Sequence, residues 1–155
     1  MNENLLGESK KVRVALFRGR GIISAIIRWQ TWSDYSHAAI VMPDGSLIEA
    51  WHRGPGVRRK YPKDLKGVSI FEVDGLTEHQ SKVVENFAIK QIGVKYDYFG
   101  VFRFMSRRNV DNKRWFCSEL VYAAFLEADI NLLSRLTLPS RVSPGLLSRS
   151  PLLFS

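Results

Sequence analysis

Cysteine is all but missing from this 155-residue chain, in which Cys117 stands alone. One thiol excludes an intrachain disulfide and cannot supply the ligand set of a zinc finger. Histidine is scarce as well: His37, His52 and His79 are too few and too scattered to suggest a metal centre, so neither a metal nor a cofactor is expected. Long apolar runs are lacking, none approaching the roughly 18 residues that a membrane span requires. Met1 to Lys11 is polar and of mixed charge, without the apolar stretch of a secretory signal. A cytoplasmic, reducing setting is the resulting expectation. Acidic residues are in the minority, with 15 Asp and Glu against 23 Lys and Arg and a formal net charge of +8.

What is present suffices for one ordinary core. Hydrophobic residues make up 45% and charged residues 25%, which sets disorder aside. The length suits one domain over residues 1–155. The basic excess favours anionic partners and is concentrated in two places. Arg53, Arg58, Arg59, Lys60, Lys63 and Lys66 are opposed only by Asp64, and Arg103, Arg107, Arg108, Lys113 and Arg114 precede the cysteine. Charge runs of this kind are ordinarily solvated surface. No nucleic-acid motif accompanies them, so no specific nucleic-acid partner is expected.

Val12 to Phe17 reads as a strand, broken by Arg18-Gly19-Arg20-Gly21. Ile22, Ile23, Ile26, Ile27 and Trp29 recur at helical spacing and predict a short helix over 21–30. His37 to Met42 and Ser46 to Trp51 flank Pro43-Asp44-Gly45, the clearest hairpin signal in the chain. The basic stretch after Gly54-Pro55-Gly56 reads as loop as far as Lys66, and Val68 to Val73 as a strand. Thr77 and Gln80 form a capping box for a helix running to about Gln91, with Val83, Val84, Phe87, Ala88 and Gln91 on its buried side. The aromatic segment around Tyr96, Tyr98 and Phe99 leads to a helix expected over 101–105. Cys117 to Ala128 is a strong helix with Leu120, Val121, Ala124 and Phe125 on one face. Ser143-Pro144 places an N-cap before proline at the first position of a last short helix. The pattern is α+β.

Cysteine catalysis needs a thiolate, a base to take the proton, and a group to orient that base. Cys117 falls in the first turn of its helix, where the helix dipole stabilises negative charge and free backbone N–H groups can hold an oxyanion. A lone cysteine is otherwise a small buried hydrophobe. His37 opens an apolar strand, where a histidine is ordinarily a structural residue with satisfied hydrogen bonds. Ser118 and Glu119 read as residues that pack or cap the helix start, and His79 as an exposed first-turn residue.

Tyr35-Ser36-His37-Ala38-Ala39-Ile40-Val41, then Leu47-Ile48-Glu49-Ala50, then Trp115-Phe116-Cys117-Ser118-Glu119-Leu120-Val121 resembles the permuted NlpC-type branch of papain-like thiol hydrolases. The similarity is to its YiiX-like group and, more distantly, to lecithin:retinol acyltransferase. In that branch the histidine strand comes first and the cysteine helix last. The first strand lacks the Gly-Asp that commonly opens it in relatives, a departure that touches no catalytic position. The resemblance implies a circularly permuted papain-like domain, an antiparallel sheet packed against helices. It also implies Cys117 as nucleophile, His37 as base and Glu49 as orienting acid. A bacterial or phage source fits the family. The implied activity is amide or ester hydrolysis, cell-wall peptides among the substrates, with an anionic substrate one option. Alternatives are a lipid-directed acyltransferase or thioesterase in peripheral contact with anionic lipid, and a non-catalytic binding module. Tyr96 and Tyr98 are candidates for lining the cleft.

The third role stays open between Glu49 and His52, because it depends on hairpin register. A two-residue Asp44-Gly45 loop sets His37 opposite His52 and turns Glu49 to the other face. A three-residue Asp44-Gly45-Ser46 loop pairs Val41 with Glu49 and brings Glu49 to the face of His37.

Overall fold

A computed structural model describes residues 5–20, 24, 25, 27, 28, 33–97, 114–133 and 137–155. Five strands come first: β1 (Arg13–Phe17), β2 (His37–Val41), β3 (Leu47–Ala50), β4 (Val57–Lys60) and β5 (Val68–Val73). Helices α1 (Glu78–Lys90) and α2 (Cys117–Glu127) follow, then a 3-10 turn (Pro139–Arg141), α3 (Pro144–Leu147) and β6 (Leu153–Phe154). The strands form one six-stranded sheet in the order β4-β3-β2-β1-β5-β6, every adjacent pair antiparallel. The architecture is α+β, as the sequence predicts.

Alternation along the strands divides the sheet into two faces. One core joins Val14, Leu16, Ala38, Ile40, Ile48 and Ala50 to Leu120, Val121, Ala124 and Phe125 of α2 and Val84 and Ala88 of α1. The other face gathers Ala15, Ala39, Val41 and Leu47 with Leu6 beneath Leu65, Val68 and Ile70. The α2 face is the one its apolar spacing predicts. In α1, the Thr77–Gln80 capping box is present, and Val84 and Ala88 are buried, whereas Val83 and Phe87 are only partly covered. Ser143 caps α3 by accepting from the Leu146 N–H, with Pro144 at its first position.

Two expectations need correction, and both concern the same edge of the sheet. The basic stretch is not all loop: Val57–Lys60 is the edge strand β4, paired with β3 so that Arg58 lies opposite Glu49. Gly54-Pro55-Gly56 lies in the turn that joins β3 to β4. The hairpin register also differs from both alternatives. Ile40 pairs with Ile48 and Val41 with Leu47, and the Met42 N–H bonds the Ser46 carbonyl at 2.7 Å. The loop is thus Pro43-Asp44-Gly45, closed by Gly45 N–H to Met42 O at 2.9 Å with Gly45 at φ 78°. Positive φ at the last loop position is the role of glycine in a three-residue hairpin. Asp44 Oδ1 tightens it by accepting from the Ser46 N–H at 3.0 Å and the Ser46 hydroxyl at 2.6 Å.

Residues 24, 25, 27 and 28 are helical, within the short helix expected over 21–30, and the rest of that helix lies outside the described residues. So do Tyr98, Phe99, the segment 101–105 and, Arg114 excepted, the basic cluster before the cysteine.

Candidate active site

The register decides where Glu49 points. Continued down the hairpin, it sets Glu49 opposite Ala39, two residues from His37 and on the same face. The parity that matters is that of the three-residue loop, although the loop itself begins one residue earlier. Across the next strand pair Glu49 meets Arg58, and Lys60, two residues on, projects to the same side.

Glu49 has no exposed surface, yet each of its oxygens is engaged. Oε2 lies 2.6 Å from His37 Nε2. Oε1 accepts from Arg58 through Nε at 3.0 Å and Nη2 at 2.8 Å, and Lys60 Nζ lies 2.9 Å away. Burial alone would push the carboxyl upward, but the bond and charge of His37, followed by those of Lys60, hold it down at about 2. Glu49 is therefore an anion at any ordinary pH.

His37 is held the other way. Its burial disfavours the imidazolium, but Cys117, as charge and hydrogen-bond partner, and then Glu49 raise it to about 9. The Glu49 carboxylate engages the ring at Nε2. Aromatic rings fix the plane of the imidazole: Phe17 packs at 5.2 Å between centroids, and Trp51 meets it edge-on at 5.4 Å. Trp51 in turn carries the Arg58 guanidinium 4.4 Å above its ring. The cations that engage Glu49 thus also brace the ring beside His37.

Cys117 is the first residue of α2 and 1% exposed. Its N–H belongs to the first turn, whose donors find no acceptor within the helix. Phe116, the N-cap, has no hydrogen-bonding group on its side chain; the Glu119 carboxylate compensates by accepting the Phe116 N–H at 3.4 Å. Ser118 donates to the Val142 carbonyl, tying the start of α2 to the segment before α3. Both residues cap and pack, as their positions predict.

His52 takes a different place from Glu49. It stacks on Trp51 at 4.8 Å and faces Tyr96 at 6.2 Å, and it is Glu49 that bonds His37. Tyr96 lines the cleft beside His37, which has a volume of about 710 Å³. Arg58, Lys60 and Trp51 were not anticipated as site residues. Their signal lies in the chain all the same: Val57-Arg58-Arg59-Lys60 directly after a Gly-Pro-Gly turn can be read as a third meander strand, with Arg58 and Lys60 on one face.

The comparisons bear on the scaffold. No family model matches the chain, and no curated protein matches it. Among solved structures, the fold is similar to the crystal structure of the metalloprotein yiiX from Escherichia coli O157:H7, DUF1105. The two superpose with a TM-score of 0.72 over 96% of each chain at 21% identity. At that identity the likeness establishes a YiiX-like fold. Among the described residues no helix is long and apolar enough to cross a membrane.

Proposed function

We propose that the chain is a cysteine-dependent hydrolase of amide or ester bonds, with Cys117 as nucleophile, His37 as acid and base, and Glu49 as the group that orients His37. On this reading the scaffold is a permuted papain-like domain of the NlpC type. What supports it most is the His37 imidazole, bonded through Nε2 to the buried Glu49 carboxylate and raised to about 9 by Cys117, the chain's single thiol, and then by Glu49.

The chemistry follows from that arrangement. The Cys117 sulfur, as thiolate beside the His37 imidazolium, attacks the carbonyl carbon and forms a C–S bond while the carbonyl π pair moves to oxygen. The first-turn N–H of Cys117 donates to that oxyanion. His37 gives its Nδ1 proton to the departing nitrogen or oxygen as the C–N or C–O bond breaks, leaving a thioester on Cys117. Neutral His37 then takes a proton from water, whose oxygen attacks the thioester, and the thiolate leaves with the imidazolium restored. Glu49 stays charged throughout and holds the ring in the tautomer and plane these transfers need. Cell-wall peptides are among the amides such a site suits.

The similar solved structure is described as a metalloprotein, but the described residues here do not fit a metal ion. Among the described residues no group of three or more His, Cys, Asp or Glu side chains is placed to hold one. In the site itself, Glu49 is already engaged by His37, Arg58 and Lys60, and an incoming cation would meet all three.

Labelling by iodoacetamide tests the proposal. Rapid modification of Cys117 that slows by at least about tenfold in His37→Gln supports an activated thiol. A Cys117 that labels slowly and equally in both proteins sinks it.

A further inference from the structure

The cleft beside His37 is more cationic than the reaction requires. Glu49 is the one acidic residue among its described lining residues, and it is buried and bound by three cationic side chains, so it sends little negative potential into the opening. Arg20 and Arg53 line the same cleft and are exposed, and among the described residues neither forms an ion pair. Two guanidinium groups with no acidic partner among the described residues thus share a cleft with the imidazole on which the reading above depends. His52, on the wall between Trp51 and Tyr96, registers the resulting field. Its imidazolium is disfavoured by burial and then by Arg53, His37 and Arg58, which together outweigh Glu49.

We propose that Arg20 and Arg53 form an anion-recognising subsite, and that the preferred acyl substrate carries a carboxylate or phosphate close to its scissile carbonyl. Guanidinium forks match both groups through paired N–H donors. A cleft walled by apolar rings such as Phe17 and Trp51 focuses that charge more strongly than a flat surface would. The substrate assignment rests on the hydrolase reading; the subsite does not.

Two measurements separate them. Binding of succinate and of inorganic phosphate is followed by calorimetry in Cys117→Ala, with and without Arg20→Gln and Arg53→Gln together. Turnover of p-nitrophenyl succinate is compared with that of neutral p-nitrophenyl acetate in the parent protein and the double arginine variant. We expect at least one anion to bind, to weaken about tenfold in the Gln double variant and with added salt, and to be largely retained in Arg20→Lys with Arg53→Lys. The tighter of the two distinguishes a carboxylate from a phosphate substrate. The succinyl ester should exceed the acetyl ester in kcat/KM by about tenfold, an advantage lost in the Gln double variant while the acetyl rate holds. Anion binding that ignores the arginines, or its absence, overturns the subsite, even if both esters are hydrolysed equally well. Arginine-dependent binding with neither ester turned over leaves the subsite standing and removes the hydrolase.

Discussion

A carboxylate without exposed surface is costly to bury unless its charge is answered, and Glu49 is answered by His37, Arg58 and Lys60. Glu49→Gln keeps the shape and one acceptor but removes the charge that stabilises the imidazolium. We expect kcat to fall about 100-fold or more, with a lower Tm because three cationic neighbours lose their counter-ion. His52→Gln leaves the His37–Glu49 bond in place and should cost far less in kcat; steady-state kinetics on both variants rank the two. The reverse ranking would move the third role to His52. The pH profile follows from the same pair. With His37 near 9, the proton given to the leaving group is lost as pH rises through about 9, so kcat should fall on that alkaline limb. For stability the signs are opposite: the His37 contribution is full below its ordinary 6.5 and lost as pH rises through about 9. That of Glu49 is full above 4.5 and lost as pH falls through about 2. Thermal melts across pH separate these two limbs from the kinetic one.

Strand β4 is the element on which this residue-level arrangement depends. It is an edge strand, and Gly56 sets the path by which it arrives. Gly56 has φ 92°, and a Cβ there would overlap the Val94 carbonyl oxygen and crowd Lys95 and Tyr96. Gly56→Ala should therefore destabilise by about 2 kcal/mol or more. It should also lower kcat out of proportion to folded fraction, since β4 carries Arg58 and Lys60 to Glu49. Melting and activity measured on the same preparation check both, and an unchanged Tm would show that the turn tolerates a side chain. This element was also poorly legible in the sequence. A run of four residues with three cations looks like solvated loop on charge patterning, because its apolar content is a single valine. Only pairing with β3 makes Arg58 and Lys60 partly buried partners of a carboxylate. The hairpin was legible in kind, from Pro43-Asp44-Gly45, but not in register. Asp44 binding Ser46 while Gly45 takes positive φ selects a loop that spacing alone does not distinguish from its neighbours.

At the scale of the whole molecule, the helices and central strands were written plainly, because each buries one periodic face. The interval Cys117–Glu127 follows from Leu120, Val121, Ala124 and Phe125, and Val68–Val73 from Val68, Ile70, Phe71 and Val73 between turn residues. The candidate site was proposed from the sequence on a different ground. His37 and Glu49 belong to neighbouring strands of one hairpin, whereas Cys117 lies far along the chain and no periodicity joins it to them; motif order did, and the sheet brings His37 and Glu49 together. The closing strand β6 went unread, since two residues give no alternation to detect. The likeness to yiiX describes the scaffold, and what the site does on it is the central claim. The most direct test is to trap the covalent intermediate. The protein is mixed with p-nitrophenyl acetate, quenched in acid within one turnover, and weighed intact by mass spectrometry. The account predicts an added acetyl group that maps to Cys117, is absent in Cys117→Ala and accumulates far more slowly in His37→Gln. An adduct on a lysine, or none while p-nitrophenol is released at the full catalysed rate, would contradict it.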